Sequence, residues 1–461
     1  MRGVAQTLKG EMTMACVWWL GRVLNVCVLG SLLSVSCLGN GLKIQLSDFA
    51  LAGSSAAPAG WLPWAQREEV MPRCYIDTTQ FRSKSSALAI SGNSNAAEYG
   101  GWTYRLGNVQ AGKFYRLTAY YRTQGVDYEQ LRVVARLDWR DESDKRVGQP
   151  DYAYQLEPAG DWKKMTLQVP TPEQATWARL ELLLAWSPQG TVWWDDIIFE
   201  EVPAPKERIA RIGSVALRPR NTGSKQGSVE AFCQALDEVA HQKPDIVCLG
   251  EGITVVGNSG SYISVAESVP GPTTEQLGEK ARQHRMYIVA GLYEREGNAV
   301  YNTSVLIDRE GKLVGKYRKV YLPREEIEGG LTPGTAYPVF ETDFGKIGMM
   351  ICWDLQYVEP ARALAAQGAE IILLPIWGGD FTLMKARAIE NHLFVVSAGY
   401  DVETAIIDPN GQVLHASNES GVVKTIPISL GQRFLDPHLG DMRARFHKEI
   451  RWDVPILGLV K

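Results

Sequence analysis

The residue of this sequence best suited to covalent chemistry is Cys352. It follows an apolar run at residues 347–351, precedes Trp353 and Asp354, and leads into a helix-like segment at residues 358–365. This pattern predicts a cysteine at a strand-to-helix turn, where backbone N–H groups can lower the thiol pKa and stabilise an oxyanion. Buried cysteines are also common as small hydrophobic residues, so the interpretation depends on partner residues elsewhere in the chain.

Two charged residues upstream are candidates for such partners. Glu251 ends the strand-like run at residues 245–250, and a carboxylate at the end of a strand can face a pocket as a general base. Lys319 lies in a second run, at residues 315–323, and an ammonium beside a thiol favours the thiolate and holds a developing oxyanion. Each charge taken alone is better explained as solvent-exposed. Together with Cys352 they predict a Glu–Lys–Cys site.

Six separated blocks of the sequence resemble the nitrilase, or carbon–nitrogen hydrolase, superfamily. In chain order they are CLGE at 248–251, YNTS at 301–304, KYRK at 316–319, TPG at 332–334, GMMICWD at 348–354 and RAIEN at 387–391. The resemblance covers residues 207–461. It implies that Glu251 is the general base, that Lys319 stabilises the tetrahedral intermediate, and that Cys352 forms a thioester or thioimidate. The RAIEN block resembles a buried structural segment of that family and is expected to be scaffold.

Many members of that family also use a second glutamate, which lies between the lysine and the Pro-Gly turn. In this sequence the candidates are Glu325, Glu326 and Glu328, and the variable length of the loop leaves the choice among them open. We favour Glu326. We further expect the backbone N–H of Trp353 to hold the oxyanion together with Lys319.

The composition disfavours several other classes of protein. A chain of 461 residues is long enough for two domains. Its formal net charge of −4 provides no basic surface, so nucleic acid is not an expected partner. The six histidines show no HExxH motif or other close ligand pairing, which disfavours a zinc hydrolase and a Cys–His mechanism. The chemistry expected for Cys352 requires no metal and no organic cofactor.

Residues 1–39 resemble a leader for export. A charged start precedes an apolar region at about residues 14–38, which Arg22 interrupts, and this order is typical of a secretory signal. A membrane anchor is the alternative, which Arg22 disfavours because it divides the apolar run. A bacterial lipoprotein would be acylated at Cys37. We therefore expect an exported protein that is periplasmic, extracellular or tethered as a lipoprotein.

Residues 43–203 are predicted to form an all-β domain. Short runs of alternating apolar and polar residues, such as 114–121 and 131–139, are separated by Gly, Asn and Asp turns. The last run, at residues 190–200, resembles the final strand of jelly-roll, galactose-binding-like carbohydrate-binding modules. That resemblance implies a glycan as a candidate ligand. A short Pro-rich linker follows at residues 202–206.

Tryptophans are frequent in this domain, and their exposure decides between two interpretations. The residues concerned are Trp102, Trp139, Trp162, Trp177, Trp186, Trp193 and Trp194. Exposed rings would stack on sugars, whereas buried rings would fill the core of a β-sandwich. The glycan hypothesis predicts that at least two of these rings lie exposed on one face or rim.

Residues 207–461 are predicted to form an α/β domain. Helical periodicity at residues 229–241 precedes a strand at 245–249, and later apolar runs at 371–375 and 394–398 predict buried strands. The family resemblance implies an α-β-β-α four-layer sandwich that often pairs with a second copy, so a homodimer is among the expected assemblies. The expected fold class is α+β multidomain, with an N-terminal all-β jelly-roll sandwich followed by that four-layer sandwich.

These features predict an exported hydrolase of non-peptide carbon–nitrogen bonds, which acts as an amidase through a thioester on Cys352. The expected partner is a small-molecule amide or nitrile substrate. Nitrile hydrolysis, carbamoyl hydrolysis and N-acyl transfer use related intermediates and stay open as alternatives. A non-catalytic glycan-binding protein is a further alternative, but such a protein would not need Glu251, Lys319 and Cys352 together.

Overall fold

A computed structural model of the protein describes residues 42–47, 49 and 57–454. The leader at residues 1–39 and Cys37 lie outside the described residues, so the signal sequence and the acylation stay predictions. Within the described ranges, no helix is both long and apolar enough to cross a bilayer. The four cysteines in these ranges are free thiols.

The first part of the structure is built from antiparallel strands. In chain order they are β1 (Lys43–Leu46), β2 (Trp61–Ala65), β3 (Arg73–Asp77), β4 (Ala87–Ser91), β5 (Tyr99–Leu106), β6 (Phe114–Gln124), β7 (Val133–Arg140), β8 (Asp151–Tyr152), β9 (Gln155–Ala159), β10 (Trp162–Pro170), β11 (Trp177–Ala185) and β12 (Thr191–Val202). A short helix, α1 (Glu129–Arg132), precedes β7. In β6 the side chains of Tyr115, Leu117 and Tyr121 are buried, because alternate residues of a strand point to the same face.

These strands form two sheets that share one hydrophobic core. The seven-stranded sheet has the order β3-β4-β12-β6-β10-β9 with β1 paired to β12, and the five-stranded sheet has the order β2-β5-β11-β7-β8. Leu117 and Trp194 of the first sheet belong to the same buried cluster as Trp102 and Leu137 of the second. The two sheets therefore face each other across that cluster.

The prediction that at least two of the seven tryptophans lie exposed is wrong. Six of them are buried, namely Trp102, Trp139, Trp162, Trp177, Trp193 and Trp194. Trp186 is the exception, with 42% of its surface exposed. Trp102, Trp139 and Trp194 belong to the core that the two sheets share, and Trp162 and Trp193 belong to a second buried cluster. These six rings therefore provide no stacking platform for sugars.

The second part of the structure combines strands with helices. Its strands are β13 (Ile209–Ala216), β14 (Ile246–Cys248), β15 (Tyr287–Glu296), β16 (Ala299–Ile307), β17 (Leu313–Arg318), β18 (Val339–Glu341), β19 (Lys346–Met349), β20 (Ile371–Pro375), β21 (Phe394–Ala398), β22 (Thr404–Ile407), β23 (Val413–Ser417), β24 (Val422–Ser429), β25 (Leu435–Asp436) and β26 (Gly440–Asp441). Its helices are α2 (Lys225–Ala240), α3 (Tyr262–Val265), α4 (Pro272–His284), α5 (Arg324–Glu328), α6 (Glu359–Ala366), α7 (Phe381–Asn391) and α8 (Met442–Glu449).

Two mixed six-stranded sheets organise this second part. Their orders are β17-β16-β15-β14-β13-β24 and β18-β19-β20-β21-β22-β23, and three consecutive strands at the centre of each are parallel. Ile246 of one sheet and Ile371 of the other belong to one buried cluster. Helices α2 and α4 pack with the first sheet in a separate cluster, and α6 and α7 pack with the second. The protein is therefore an α+β protein with several sheets.

Helix α2 shows how local sequence sets these elements. The hydroxyl of Ser224 accepts a hydrogen bond from the N–H of Gly227 at 3.1 Å, which satisfies one of the free donors of the first turn. Val229, Phe232 and Leu236 repeat every three or four residues and are all buried. The apolar pattern predicted a start at Val229, and the cap extends the helix one turn further towards its N-terminus.

Helix α8, near the end of the described chain, contacts the N-terminal sheets. The ammonium of Lys448 donates a hydrogen bond of 2.7 Å to the carbonyl oxygen of Val133 in β7. Arg433, which precedes α8, forms an ion pair with Asp151 of β8. The segment that joins β12 to β13, residues 203–208, has neither helix nor strand. The two parts of the chain are thus connected by side-chain contacts as well as by this segment.

Candidate active site

The sequence-predicted site residues lie at the ends of elements from both six-stranded sheets. Glu251 follows β14 and Lys319 follows β17, both in the first sheet. Cys352 follows β19 of the second sheet and begins a 3₁₀ turn, Cys352–Gln356. Glu326 lies in α5. The face-to-face packing of the two sheets brings these ends to one place.

Lys319, Glu251, Glu326 and Asn302 form one buried hydrogen-bond network. The ammonium of Lys319 lies 3.0 Å from Oε1 of Glu251 and 3.0 Å from Oε1 of Glu326. The side-chain amide of Asn302 donates to the same two oxygens, at 2.7 Å each. One ammonium and one amide therefore hold the two carboxylates in position, and their donors offset the repulsion between two like charges.

The second oxygen of each carboxylate is free. Oε2 of Glu251 and Oε2 of Glu326 are buried and have no hydrogen-bond partner among the described residues. Buried carboxylate oxygens are usually hydrogen-bonded. Glu251 therefore has a buried oxygen with which it can accept a proton.

The structure separates the three candidates for the second glutamate. Glu326 is buried, whereas the side chains of Glu325 and Glu328 are 71% and 66% exposed. Burial raises the pKa of Glu326, the charge of Lys319 opposes this effect, and the charge of Glu251 adds to it. The geometry thus favours Glu326 as the partner of Lys319.

Lys319 stays protonated although it is buried. Burial by itself lowers the pKa of an ammonium, but the negative charges of Glu251 and Glu326 outweigh that effect and raise the pKa of Lys319 above its usual value. A protonated amine at this place can stabilise an oxyanion.

The turn that holds Cys352 has an uncommon backbone conformation. The φ angle of Cys352 is +42°, in the left-handed region that non-glycine residues rarely adopt. The carboxylate of Asp354 accepts hydrogen bonds from the N–H of Ile351 at 2.9 Å and from the N–H of Tyr321 at 3.0 Å. The hydroxyl of Tyr317 donates to the same carboxylate at 2.7 Å. These three bonds hold the turn in place.

The expectation that the turn lowers the thiol pKa of Cys352 is wrong for this structure. Burial raises the pKa of Cys352 to about 12, and the charge of Glu251 raises it as well. The charge of Lys319 and hydrogen bonds from the backbone of Trp377 and Gly378 act in the opposite direction and are weaker. At neutral pH the sulfur is a thiol, so its attack requires a base.

The loop after β20 contacts this sulfur. Sγ of Cys352 lies 3.6 Å from the carbonyl oxygen of Gly378. The indole of Trp353, next to the cysteine, is partly exposed. The contribution of the Trp353 backbone N–H to an oxyanion site stays a prediction.

Two residues of the site received no role from the sequence. Asn302 lies in the YNTS block, so the family resemblance contained a signal for it. Tyr400 had no such signal. Its hydroxyl donates a hydrogen bond of 2.8 Å to the backbone oxygen of Glu251. Its ring packs edge-on against Trp377, with the ring centres 5.0 Å apart. Tyr400 thus links Glu251 to the loop that contacts Cys352.

The RAIEN block lies behind the cysteine turn. The guanidinium of Arg387 is buried and donates a hydrogen bond of 2.9 Å to the backbone oxygen of Leu355. Leu355 belongs to the 3₁₀ turn that Cys352 begins. Arg387 also pairs with Glu390 at 2.9 Å. These contacts fit the scaffold role expected for this block.

Comparison with known proteins relates this part of the chain to hydrolases. A model of the carbon–nitrogen hydrolase family matches residues 211–431. Omega-amidase NIT2 of Mus musculus is 27% identical over 262 residues, which cover 50% of this chain and 89% of that protein. A probable nitrilase of Schizosaccharomyces pombe is 32% identical over 232 residues, which cover 46% of this chain and 85% of that protein.

Solved structures are similar over the same share of the chain. Saccharomyces cerevisiae Nit3, described as a member of branch 10 of the nitrilase superfamily, is 21% identical with a TM-score of 0.44 and covers 49% of this chain and 93% of its own. The family of this chain is assigned from the match to the family model and from the similarity to the S. pombe relative. This chain belongs to the carbon–nitrogen hydrolase family of the nitrilase superfamily, and it is an enzyme of that family.

Proposed function

We propose that this enzyme hydrolyses small amides through a thioester on Cys352. The observation that supports this most directly is the buried network of Lys319, Glu251, Glu326 and Asn302 beside the thiol. Nucleophilic catalysis by a weakly acidic thiol needs a base and an oxyanion donor within reach. Glu251 and Lys319 have the chemistry for these two roles.

In the first half of the reaction the sulfur of Cys352 is acylated. The free oxygen of Glu251 accepts the thiol proton while Sγ of Cys352 attacks the amide carbon. Lys319 and the N–H of Trp353 hold the oxyanion of the tetrahedral intermediate. When the intermediate collapses, the carbon–nitrogen bond breaks and Glu251 passes its proton to the leaving nitrogen. Ammonia or an amine departs, and the acyl group stays on the sulfur.

In the second half a water molecule releases the acid. Glu251 takes a proton from the water while the oxygen of the water attacks the thioester carbon. Lys319 and the N–H of Trp353 hold the second oxyanion. The carbon–sulfur bond then breaks, and Cys352 recovers its proton from Glu251. Asn302 and Glu326 keep Glu251 and Lys319 in position through both halves.

Amides are the proposed substrates because of the relatives. Several of them are named omega-amidases. Three other reactions remain alternatives for the same site. A nitrile would pass through a thioimidate, and a carbamoyl compound would leave a carbamoyl group on the sulfur. An acyltransferase would pass the acyl group from the sulfur of Cys352 to an amine instead of water.

Mass spectrometry of the protein mixed with a panel of amides, nitriles and carbamoyl compounds tests this function. We expect an acyl adduct on Cys352 from amides, with one molecule of ammonia or amine released for each acyl group formed. The matched control is Cys352→Ala, which should form no adduct. An adduct from nitriles alone would replace the amidase with a nitrilase, and an adduct on another residue would contradict the mechanism.

We also propose the finer architecture and the location expected from the sequence. The shared core of the two N-terminal sheets supports a jelly-roll sandwich at residues 43–203, and the clusters on both sides of the six-stranded sheets support a four-layer sandwich at residues 207–461. The mature protein is exported, and its hydrolase part pairs with a second copy. Cell fractionation and light scattering of the purified protein measure these two properties.

Glycan binding by the N-terminal part is a second proposed function, at a cavity that the buried Trp162 lines together with exposed aromatic rings. A cavity of about 970 Å³ lies beside α1 and the turn between β9 and β10. The exposed rings of Tyr128 and Trp452 border it together with Asp127 and Asp161, and such a mixture of aromatic and polar groups is typical of ligand sites. Tyr128→Ala should weaken retention on a polysaccharide column, with Trp186→Ala as the control. Equal retention of both variants and wild type would contradict it.

A further inference from the structure

An arginine–aspartate ion pair lies next to the loop that contacts Cys352. Arg218 follows β13 and Asp401 follows β21 of the other sheet. Nη1 of Arg218 donates to Oδ1 of Asp401. The two side chains are 28% and 53% exposed. Both charges are therefore open to solvent and to a ligand.

Gly378 connects this pair to the sulfur. Its carbonyl oxygen lies 3.6 Å from Sγ of Cys352, and a Cβ added to Gly378 would lie 3.4 Å from the Cβ of Asp401. The N–H of Asp401 donates 2.8 Å to the carbonyl oxygen of Trp377. The guanidinium of Arg218 lies 5.6 Å from the centre of the Trp377 ring. The pair is thus separated from the sulfur by one residue of backbone.

Stability alone is a weak explanation for a charge pair at this place. A partly exposed ion pair adds little to the stability of a protein. A guanidinium, however, is a rigid fork that binds a carboxylate through two hydrogen bonds. A ligand with both a carboxylate and an ammonium can exchange partners with Arg218 and Asp401, so that no charge is left unpaired in the bound state.

We propose that Arg218 and Asp401 select amides whose acyl part ends in an α-amino acid group. The carboxylate of the substrate binds Arg218, and its ammonium binds Asp401. A short methylene chain then places the amide at the sulfur of Cys352. This selectivity rests on the proposed hydrolysis of amides and adds the substrate class to it, namely side-chain amides of amino acids.

Four amides with matched spacing test the selectivity. Glutamine has both charges, glutaramate has the carboxylate only, γ-aminobutyramide has the ammonium only, and butyramide has neither. We expect the wild type to have its highest kcat/KM with glutamine. Arg218→Gln should lower the ratio of kcat/KM for glutamine to that for butyramide by about tenfold to hundredfold, as for the loss of one charge-assisted pair. Asp401→Asn should lower the ratio of glutamine to glutaramate.

The control is Arg220→Gln, because Arg220 is an exposed arginine two residues further along. It changes the net charge by the same amount and should leave all ratios as in the wild type. Equal turnover of the four amides by the wild type would overturn the selectivity. An equal fall for all four amides in Arg218→Gln would also overturn it. Asp401→Asn keeps the shape of its side chain and serves if Arg218→Gln does not fold.

Binding to the Cys352→Ala protein separates selectivity from chemistry. Calorimetry should show tighter binding of glutamine than of butyramide, and adding Arg218→Gln should abolish the difference. If that result holds while the wild type cleaves none of the four amides, amide hydrolysis is wrong and the selectivity stands. Equal binding of glutamine and butyramide overturns the selectivity, whatever the wild type hydrolyses.

Discussion

The ammonium nitrogen of Lys319 lies 3.0 Å from Oε1 of Glu251, and both side chains are buried. Removing one partner of a buried charge pair typically costs about 3–5 kcal/mol, because the other charge is left uncompensated. Glu326 and Asn302 bond to the same groups. The free energy of unfolding and the chemistry therefore depend on the same residues, and each rate measured on a variant needs a stability measurement beside it.

Cys352 is expected to react with iodoacetamide faster than Cys74, Cys233 and Cys248. Burial raises the pKa of all four thiols, so their intrinsic acidity does not favour Cys352. Glu251 can nevertheless accept the Cys352 proton during attack. Peptide mass spectrometry over time measures the four rates. The advantage of Cys352 should be lost in Glu251→Gln, and equal rates in the wild type would argue against a local base.

Glu251→Gln is expected to lower kcat by about two to four orders of magnitude, as for the loss of a general base. The amide keeps the size of the side chain and an acceptor for Lys319, so the protein should still fold. Steady-state kinetics and circular dichroism check both points. Glu326→Gln is the matched variant, because it removes the other carboxylate of the network. A near-normal rate in Glu251→Gln, with a large loss in Glu326→Gln, would assign the base to Glu326.

Asn302→Leu is expected to lower the free energy of unfolding by about 1–3 kcal/mol, because two buried carboxylate oxygens lose a donor. Asn302→Asp places a third carboxylate beside Glu251 and Glu326, and its added negative charge should move the rise of kcat/KM to higher pH. Denaturant unfolding and a pH–rate profile measure the two effects. The control is the exposed residue Asn418, as Asn418→Leu. An unchanged profile in Asn302→Asp would contradict a positioning role for Asn302.

Some features of the site follow from linear patterns, and others do not. Strands β20 and β21 have the predicted bounds, because a continuous apolar run fits a strand that is buried on both faces. Glu251, Lys319 and Cys352 were predicted because each lies in or at the end of such a run. Arg218 and Asp401 are 183 residues apart, and only folding brings them together. The thiol pKa was mispredicted because burial, which depends on packing, outweighs the turn.

Lys448 is expected to make stability depend on pH. Burial lowers the pKa of Lys448 to about 7, whereas an unfolded lysine has a pKa of about 10.4. Below pH 7 both states hold the proton, and the native state bears the full cost of a buried charge. Between the folded and unfolded pKa values, Lys448 holds its proton only in the unfolded chain. The free energy of unfolding therefore rises with pH, by at most about 1.4 kcal/mol per pH unit.

Denaturant unfolding of wild type and Lys448→Met between about pH 7 and pH 9 measures this contribution. The free energy of unfolding should rise less with pH in Lys448→Met than in the wild type. Lys312→Met removes an exposed lysine and should keep the wild-type slope. Identical slopes in wild type and Lys448→Met would mean that Lys448 stays charged in the folded protein.

The contact of α8 with the N-terminal sheets limits how the two parts of this protein can be recombined. Lys448 bonds to Val133 and Arg433 pairs with Asp151, so residues near the end of the chain have their partners near its beginning. An unrelated module joined to the segment at residues 203–208 would leave Lys448 and Arg433 without these partners. Genetic exchange of the N-terminal part alone therefore requires compensating changes at Arg433 and in α8, and the two parts are expected to be inherited together.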